Sequence, residues 1–273
     1  MKKSRVLSII VVLFVSVSTC FGVTSWAGAV MDYDAGSGYV GGYTNPEAAI
    51  GALPTDTGEF MGMVFYVTPF NGPYSPDDIV SVGRGGYLTL ALENYALATD
   101  GFEIGIFSYQ QFNQDGWPDG GTNDPVALFR ASQKAVIEVS ANGTEWVALN
   151  GGDVITCDIP ASAFSDIAGT VAADFGSPFT GLLSDFDGQE TVQDVLNVYG
   201  GSAGGTWVDI SGTGLDYVGF IRFLVPEGAL NSFELEGVSV ATGALGDLVV
   251  VPEPCTVALL GLGGLMAFKR RKD

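Results

Sequence analysis

Histidine is absent from the 273 residues of this chain, and only 11 residues are lysine or arginine. Without an imidazole, the chain lacks the usual general base of Ser-His-Asp and Cys-His catalysis and the commonest ligand of transition metals. The Gly83-x-Gly85-Gly86 run opens a predicted strand, whereas a phosphate cradle needs a helix N-terminus. Catalytic carboxylate pairs cannot be singled out among 31 acidic residues. We therefore expect a protein that is not an enzyme.

Cysteine is nearly as scarce, with three residues in the chain. Cys20 and Cys255 lie in the two terminal segments discussed below. Cys157 is then alone in the body of the protein, so we expect no internal disulfide. A body of about 220 residues can bury enough core to fold without one.

The first 29 residues have the pattern of a removable export leader. Three of the first five residues are basic, residues 6–15 are almost wholly apolar, and Ala27-Gly28-Ala29 fits the small-x-small cleavage pattern. We predict a signal peptide at residues 1–29. Two alternatives remain open, namely a retained membrane anchor and a lipoprotein acylated at Cys20.

Residues 30–250 are strongly acidic, with four basic against 29 acidic side chains and a formal charge of −25. Such a surface repels nucleic acid and anionic lipid, so we expect no nucleic-acid partner. It is compatible with bound cations and equally with high solubility outside the cell.

The last 23 residues combine three features in a fixed order. Pro252-Glu253-Pro254 is an extended strip, because each proline disfavours helix before it. An apolar run follows at residues 256–268, about 20 Å long as a helix and thus short for a hydrocarbon layer of about 30 Å. A basic cluster then closes the chain and would remain on the cytoplasmic side of a membrane. Its members are Lys269, Arg270, Arg271 and Lys272.

This tail resembles the PEP-CTERM sorting signal, which has the same three parts at the chain end. The resemblance implies that residues 251–273 insert transiently in the inner membrane and are recognised by an exosortase, a membrane-embedded cysteine transpeptidase. It further implies a Gram-negative-type cell that makes exopolysaccharide, with the product at the cell surface or secreted. An ordinary single-span anchor with a fortuitous Pro-Glu-Pro is the alternative.

The body has glycine or proline every eight to fifteen residues, with short alternating runs between them. These runs predict strands at 87–92, 102–106, 135–140, 145–149, 217–224 and 233–240, and one short helix within 190–199. Asn142-Gly143 suits a two-residue hairpin turn that would pair Val139 with Trp146. Many short strands without βα alternation predict an all-β sandwich or jelly roll, as one domain over residues 30–250.

The order of motifs in the body resembles bacterial cell-surface proteins that have a discoidin-like, galactose-binding-type β-sandwich. The matching segments are residues 45–54, 82–90, 137–146, 204–210, 220–222 and 233–238. The sequence departs from that pattern where two closing aspartates are replaced by Glu234 and Glu236, and where Ser108 replaces an acidic residue.

Calcium is the most plausible ion for a chain rich in carboxylates, because hard cations take oxygen ligands. The resemblance implies an ion beside the first and last strands, with Glu234 and Glu236 as ligands. The two alternate with apolar residues and share one face of their strand. A loop containing Asp115 and Asp119, and the segment 185–190, are competing locations, and for both the alternative is a solvated turn.

Aromatic side chains after the 102–106 strand could stack on a sugar ring. We name Tyr109 and Trp117 as candidates, with a place in the core as the alternative for Trp117. Trp146 and Trp207 are expected in the core. The sequence thus favours an exported, non-catalytic surface or matrix protein that could bind glycan. The alternative is a secreted carbohydrate-active enzyme or its accessory module.

Overall fold

The computed structural model describes residues 24–58, 64–116 and 120–250. It contains one α-helix, α1 (Val192–Tyr199), several 3-10 turns and eleven strands in that part of the chain. The strands are β1 (Ser25–Asp34), β2 (Val80–Val82), β3 (Tyr87–Leu97), β4 (Ile104–Ser108), β5 (Lys134–Ser140), β6 (Val147–Ala148), β7 (Ile155–Thr156), β8 (Thr206–Val208), β9 (Tyr217–Leu224), β10 (Phe233–Val240) and β11 (Leu245–Leu248).

All ladders between these strands are antiparallel, and they connect in the order β6-β5-β9-β3-β1-β10-β4-β8. Three further strands pair beside this path, β11 with β3, β2 with β10 and β7 with β5. The start of β1 pairs with β10, and the rest of β1 pairs with β3 across two register shifts. β1 therefore joins the two halves of the sheet, and the expectation of an all-β fold is confirmed.

The main core lies between the two halves of the sheet and is made by alternating strand residues. Leu88 and Leu90 of β3 and Ile221 of β9 come from one half, and Ile106 of β4 and Leu235 of β10 come from the other. All five are 0% exposed. Alternation along each strand sends one apolar set inward, as the sequence pattern predicts.

A second core covers the outer side of the β10-β4-β8 half. Phe107 of β4 and Trp207 of β8 contact each other there, and a layer of loops with α1 packs over them. The helix buries Val195, Leu196 and Tyr199, in agreement with the predicted helical spacing. Trp207 is in the core, as expected.

The hairpin around Asn142 differs from the prediction. Val139 pairs with Val147, so the register is shifted by one residue and the connection is longer than a two-residue turn. The Asn142 side-chain oxygen accepts from the backbone N–H groups of Thr144 at 2.9 Å and Glu145 at 3.0 Å. These bonds stabilise a wider loop, because an asparagine side chain can replace a backbone turn. Trp146 consequently lies half-buried outside the core.

Trp146 instead packs under Arg222, whose Cζ lies 3.9 Å from the centre of the indole ring. The same guanidinium group donates to Thr89 at 3.1 Å and pairs with Glu138 at 3.4 Å. The outer face of the β5-β9-β3 half therefore carries a polar and aromatic cluster where the sequence predicted a core tryptophan.

The two ends of the described chain meet on β3. Asn94 N donates to Ser25 Oγ at 3.1 Å, and Asn94 Nδ2 donates to the carbonyl of Gly246 at 2.9 Å. Val249 N donates to the carbonyl of Glu93 at 2.8 Å. The predicted sorting tail at 251–273 and residues 1–23 of the predicted signal peptide lie outside the described residues. The remaining residues of that predicted signal peptide, 24–29, are described, and from Ser25 onward they belong to β1. Within 24–250, no helix of the described chain has the length and apolar character needed to cross a bilayer.

Candidate functional site

The outer loops near the start of β10 form a polar cluster around Glu234. Its side chain is 5% exposed and pairs with the guanidinium of Arg130, which is 31% exposed. Ser232 Oγ donates to the same carboxylate at 3.1 Å. Burying a carboxylate is costly unless it is paired, and here a cation and a hydroxyl satisfy it.

Arg130 also covers the ring of Tyr109, with Cζ 5.1 Å from the ring centre. Tyr109 is only 7% exposed, and burial raises the pKa of its hydroxyl. The exposed ring expected for sugar stacking at this position is therefore not found. The other stacking candidate, Trp117, lies outside the described residues, as does Asp119.

Glu236 lies two residues further along β10 and is 4% exposed. No hydrogen-bond partner is found for its Oε2 among the described residues. Burial raises the pKa of this carboxyl well above its ordinary value, and the nearby carboxylate of Asp78 raises it further. A buried polar atom without a partner needs a physical explanation, such as a bound proton, water or ion.

The candidate calcium ligands fall into different surroundings. Glu234 is paired with Arg130, whereas Glu236 has the carboxyl of Asp78 nearby. In the segment 185–190, Asp185 accepts from the backbone of Leu182 at 2.8 Å and Asp187 from that of Val126 at 2.6 Å. Across residues 24–58, 64–116 and 120–250, no three Asp, Glu or Cys side chains cluster closely enough to hold a metal.

A groove of about 400 Å³ opens beside the Arg130–Glu234 pair. Phe129, which is 61% exposed, lines it together with Leu230 and Asn231. This volume is within the range of small-molecule sites, about 300–1,000 Å³. The groove combines an open aromatic ring, an aliphatic side chain, an ion pair and amides.

Two buried glutamines hold the wall of the groove in place. Gln110 Oε1 accepts from the backbone N–H of Arg130 at 3.1 Å. Gln133 Nε2 donates to the carbonyl of Ala131 at 3.0 Å, and its Oε1 accepts from Glu234 N at 2.8 Å. These hydrogen bonds hold the loop at residues 129–131 in place. A ligand would therefore need to order little of this loop on binding. Sequence reasoning missed Phe129, although it adjoins one of the four basic residues of the body.

A second cleft of about 560 Å³ lies beside α1, between Tyr66, Phe164 and Leu196. The rings of Tyr66 and Phe164 are in edge contact at 5.0 Å. The carboxylate of Asp166 is occupied by its own loop, since it accepts from Thr170 N and Val171 N at 2.9 Å each. Hydrogen bonds from Thr170 lower the pKa of Asp166. Among the described residues, no cationic side chain lines this cleft, whereas the groove at Phe129 has Arg130, whose side chain is 31% exposed.

The sorting motif at Pro252-Glu253-Pro254 and the basic cluster lie outside the described residues. No family model and no curated protein matched this chain.

Proposed function

We propose that this chain is an exported, non-catalytic protein of the cell surface or extracellular matrix, built on a discoidin-like jelly roll. Its tail is processed at Pro252-Glu253-Pro254 by an exosortase-type enzyme, and its body binds a neutral saccharide of the surrounding exopolysaccharide. The sorting part of this proposal rests on one observation. The Pro-Glu-Pro motif, the apolar run and the basic cluster follow one another in that order at residues 252–272.

The position of the chain ends supports display of the body from a membrane. Leader and tail both leave the body beside Glu93 and Asn94, next to the Val240 end of β10. Glu234 is six residues earlier on β10, and a strand rises about 3.3 Å per residue. The groove at Phe129 is therefore about 20 Å along the strand from the chain ends. With the tail held in the inner membrane, the groove would lie toward the opposite end of β10 from the point of attachment.

The chemistry of the groove supports a saccharide ligand. The exposed ring of Phe129 offers an apolar face to the C–H side of a sugar ring. The partly exposed guanidinium of Arg130 and the side-chain amide of Asn231 supply donors and acceptors for hydroxyl groups. Because Glu234 balances the charge of Arg130, the site favours a neutral sugar over an anionic one.

Processing is tested on the full chain, expressed in an exopolysaccharide-producing host that has the processing enzyme. Intact mass of the exported wild type should show loss of the basic cluster, and Glu253→Gln should retain the tail. Glu227→Gln, a surface glutamate of the body, is the matched control and should be processed normally. Full-length tail on exported wild-type protein would refute the sorting proposal.

Saccharide binding is tested on a glycan array with the exported protein. Phe129→Ala and Arg130→Gln should each reduce binding at least tenfold. Phe102→Ala, which removes another exposed phenylalanine 40% accessible to solvent, should leave binding unchanged. Equal loss in all three variants, or no glycan bound by the wild type, would refute the saccharide proposal. Cleavage of a bound glycan would instead favour the carbohydrate-active enzyme.

A further inference from the structure

The first residues of β1 are part of the folded body. Ser25 pairs with Val240 and Trp26 with Ser239 of β10, while Ala27 pairs with Leu92 of β3. Ser25 and Ala27 are 1% and 0% exposed. β1 lies between β3 and β10 and is the connection between the two halves of the sheet.

Trp26 and Ala27 also make side-chain and backbone contacts with parts of the fold outside these ladders. Trp26 packs on Phe107 and Phe175, with ring centres 6.4 and 5.2 Å away, and so contributes to the second core. Its backbone N–H donates to Glu93 Oε2 at 3.2 Å. The carbonyl of Ala27 accepts from Gly51 N at 2.8 Å.

A cut after Ala29, which the small-x-small pattern at Ala27-Gly28-Ala29 favours, would remove all of these contacts. It would abolish the pairing of Ser25 and Trp26 with β10. The two halves of the sheet would lose their connecting ladder, and β10 would expose unpaired backbone groups near Val240. A mature protein that begins at Val30 would therefore keep the pairing of residues 30–34 with β3 but lack the ladder that joins the two halves of the sheet.

We propose that the leader is removed upstream of Ser25, at the Gly22–Val23 bond, so that the mature chain keeps all of β1. Cys20-Phe21-Gly22 also fits the small-x-small pattern, and it leaves a leader of 22 residues, within the usual range of about 15–30. This inference rests on the proposed function, because it requires that residues 1–22 act as an export leader.

The experiment is N-terminal sequencing of the exported protein, produced from the full-length chain. A first residue at Val23 supports the proposal, and any other first residue between Lys2 and Ser25, including an acylated Cys20, overturns the Gly22–Val23 bond as the cleavage site. A first residue at or beyond Trp26, including Val30, overturns it and leaves the proposed export intact. Recovery of protein starting at Met1 overturns both the cleavage site and the export leader.

Two variants separate the competing sites. Gly22→Gln should slow leader removal several-fold, measured by the fraction of precursor in a pulse–chase experiment. Ala29→Gln should leave the N-terminal sequence and the processing rate of the wild type unchanged. The reverse result would overturn the proposal. If Ala29→Gln reduces the yield of folded protein, the precursor-to-mature ratio still reports the cleavage step.

Discussion

The side-chain carboxyl group of Glu236 is buried, and ionisation is unfavourable there. Burial and the neighbouring Asp78 raise its pKa in the folded protein, so the folded state holds a proton that the unfolded state releases. The stabilisation from this proton is fully present below the unfolded pKa of about 4.3 and is lost as pH rises toward the folded pKa. Across that window each pH unit costs about 1.4 kcal/mol of unfolding free energy.

Replacing Glu236 with glutamine should therefore flatten the pH dependence of stability, because an amide stays neutral. We expect Glu236→Gln to melt above the wild type at pH 8 and near it at pH 4.5, by calorimetry in metal-free buffer. Glu227→Gln serves as a control at a surface carboxyl. A wild-type melting temperature that does not fall between pH 5 and pH 8 would contradict this account.

Calcium at Glu236 would replace the proton, because a ligating carboxylate must be ionised. Micromolar affinity at millimolar calcium would stabilise the fold by about 4 kcal/mol. If calcium binds there, it should raise the melting temperature by about 8–16 °C, more at pH 8 than at pH 5, and Glu236→Gln should abolish the shift. Equal shifts by calcium and magnesium would indicate charge screening. Asp119→Asn should abolish the shift only if the loop holds the ion.

At the scale of single elements, α1 is a helix whose ends are set by local sequence. Thr191 Oγ1 accepts from Asp194 N at 3.1 Å, the Asp194 carboxylate accepts from Thr191 N at 3.1 Å, and Gly200 ends the helix with a φ of 63°. This reciprocal cap satisfies two N–H groups that the first helical turn leaves free.

Thr191→Ala should destabilise the protein by about 1 kcal/mol through loss of the cap. For a body of this size, the melting temperature should fall by about 2–4 °C. Ser184→Ala, at an exposed serine of the preceding 3-10 turn, is the control and should have little effect. Equal melting temperatures for Thr191→Ala and this control would show that the cap contributes nothing.

Elements with strong local periodicity could be predicted from the sequence. The strands near 87–97, 134–140, 217–224 and 233–240 and the helix at 192–199 follow from residue spacing alone. The hairpin register could not be predicted, because it depends on which backbone groups the Asn142 side chain binds.

The groove could not be predicted for a different reason. The loop that carries Phe129 is held by hydrogen bonds from Arg130 N to Gln110 and from Gln133 to the carbonyl of Ala131. Both glutamines are buried, and their burial is set by the fold. Tyr109 is the opposite case, because its ring is covered and not exposed. The residue that covers it is Arg130, 21 positions later in the sequence. Exposure of an aromatic ring is a tertiary property that spacing does not encode.

For the molecule as a whole, the single cysteine of the described residues is buried and free. Burial raises the pKa of the Cys157 thiol, so the reactive thiolate is scarce in the folded state. In the mature protein, reducing agent should leave the melting temperature unchanged, and a thiol reagent should modify Cys157 only as fast as the protein unfolds. Rapid modification under native conditions would contradict this burial.

The meeting of both chain ends beside Asn94 also determines how the body would carry a mechanical load. If the tail is attached at one end of the sheet and a polysaccharide strand is held in the groove at the other, tension runs nearly parallel to β10. Force in that direction shears a ladder and strains its hydrogen bonds together, whereas force across the strands would open them one at a time. A matrix protein built in this way would resist pulling between cell and polymer better than its modest size suggests.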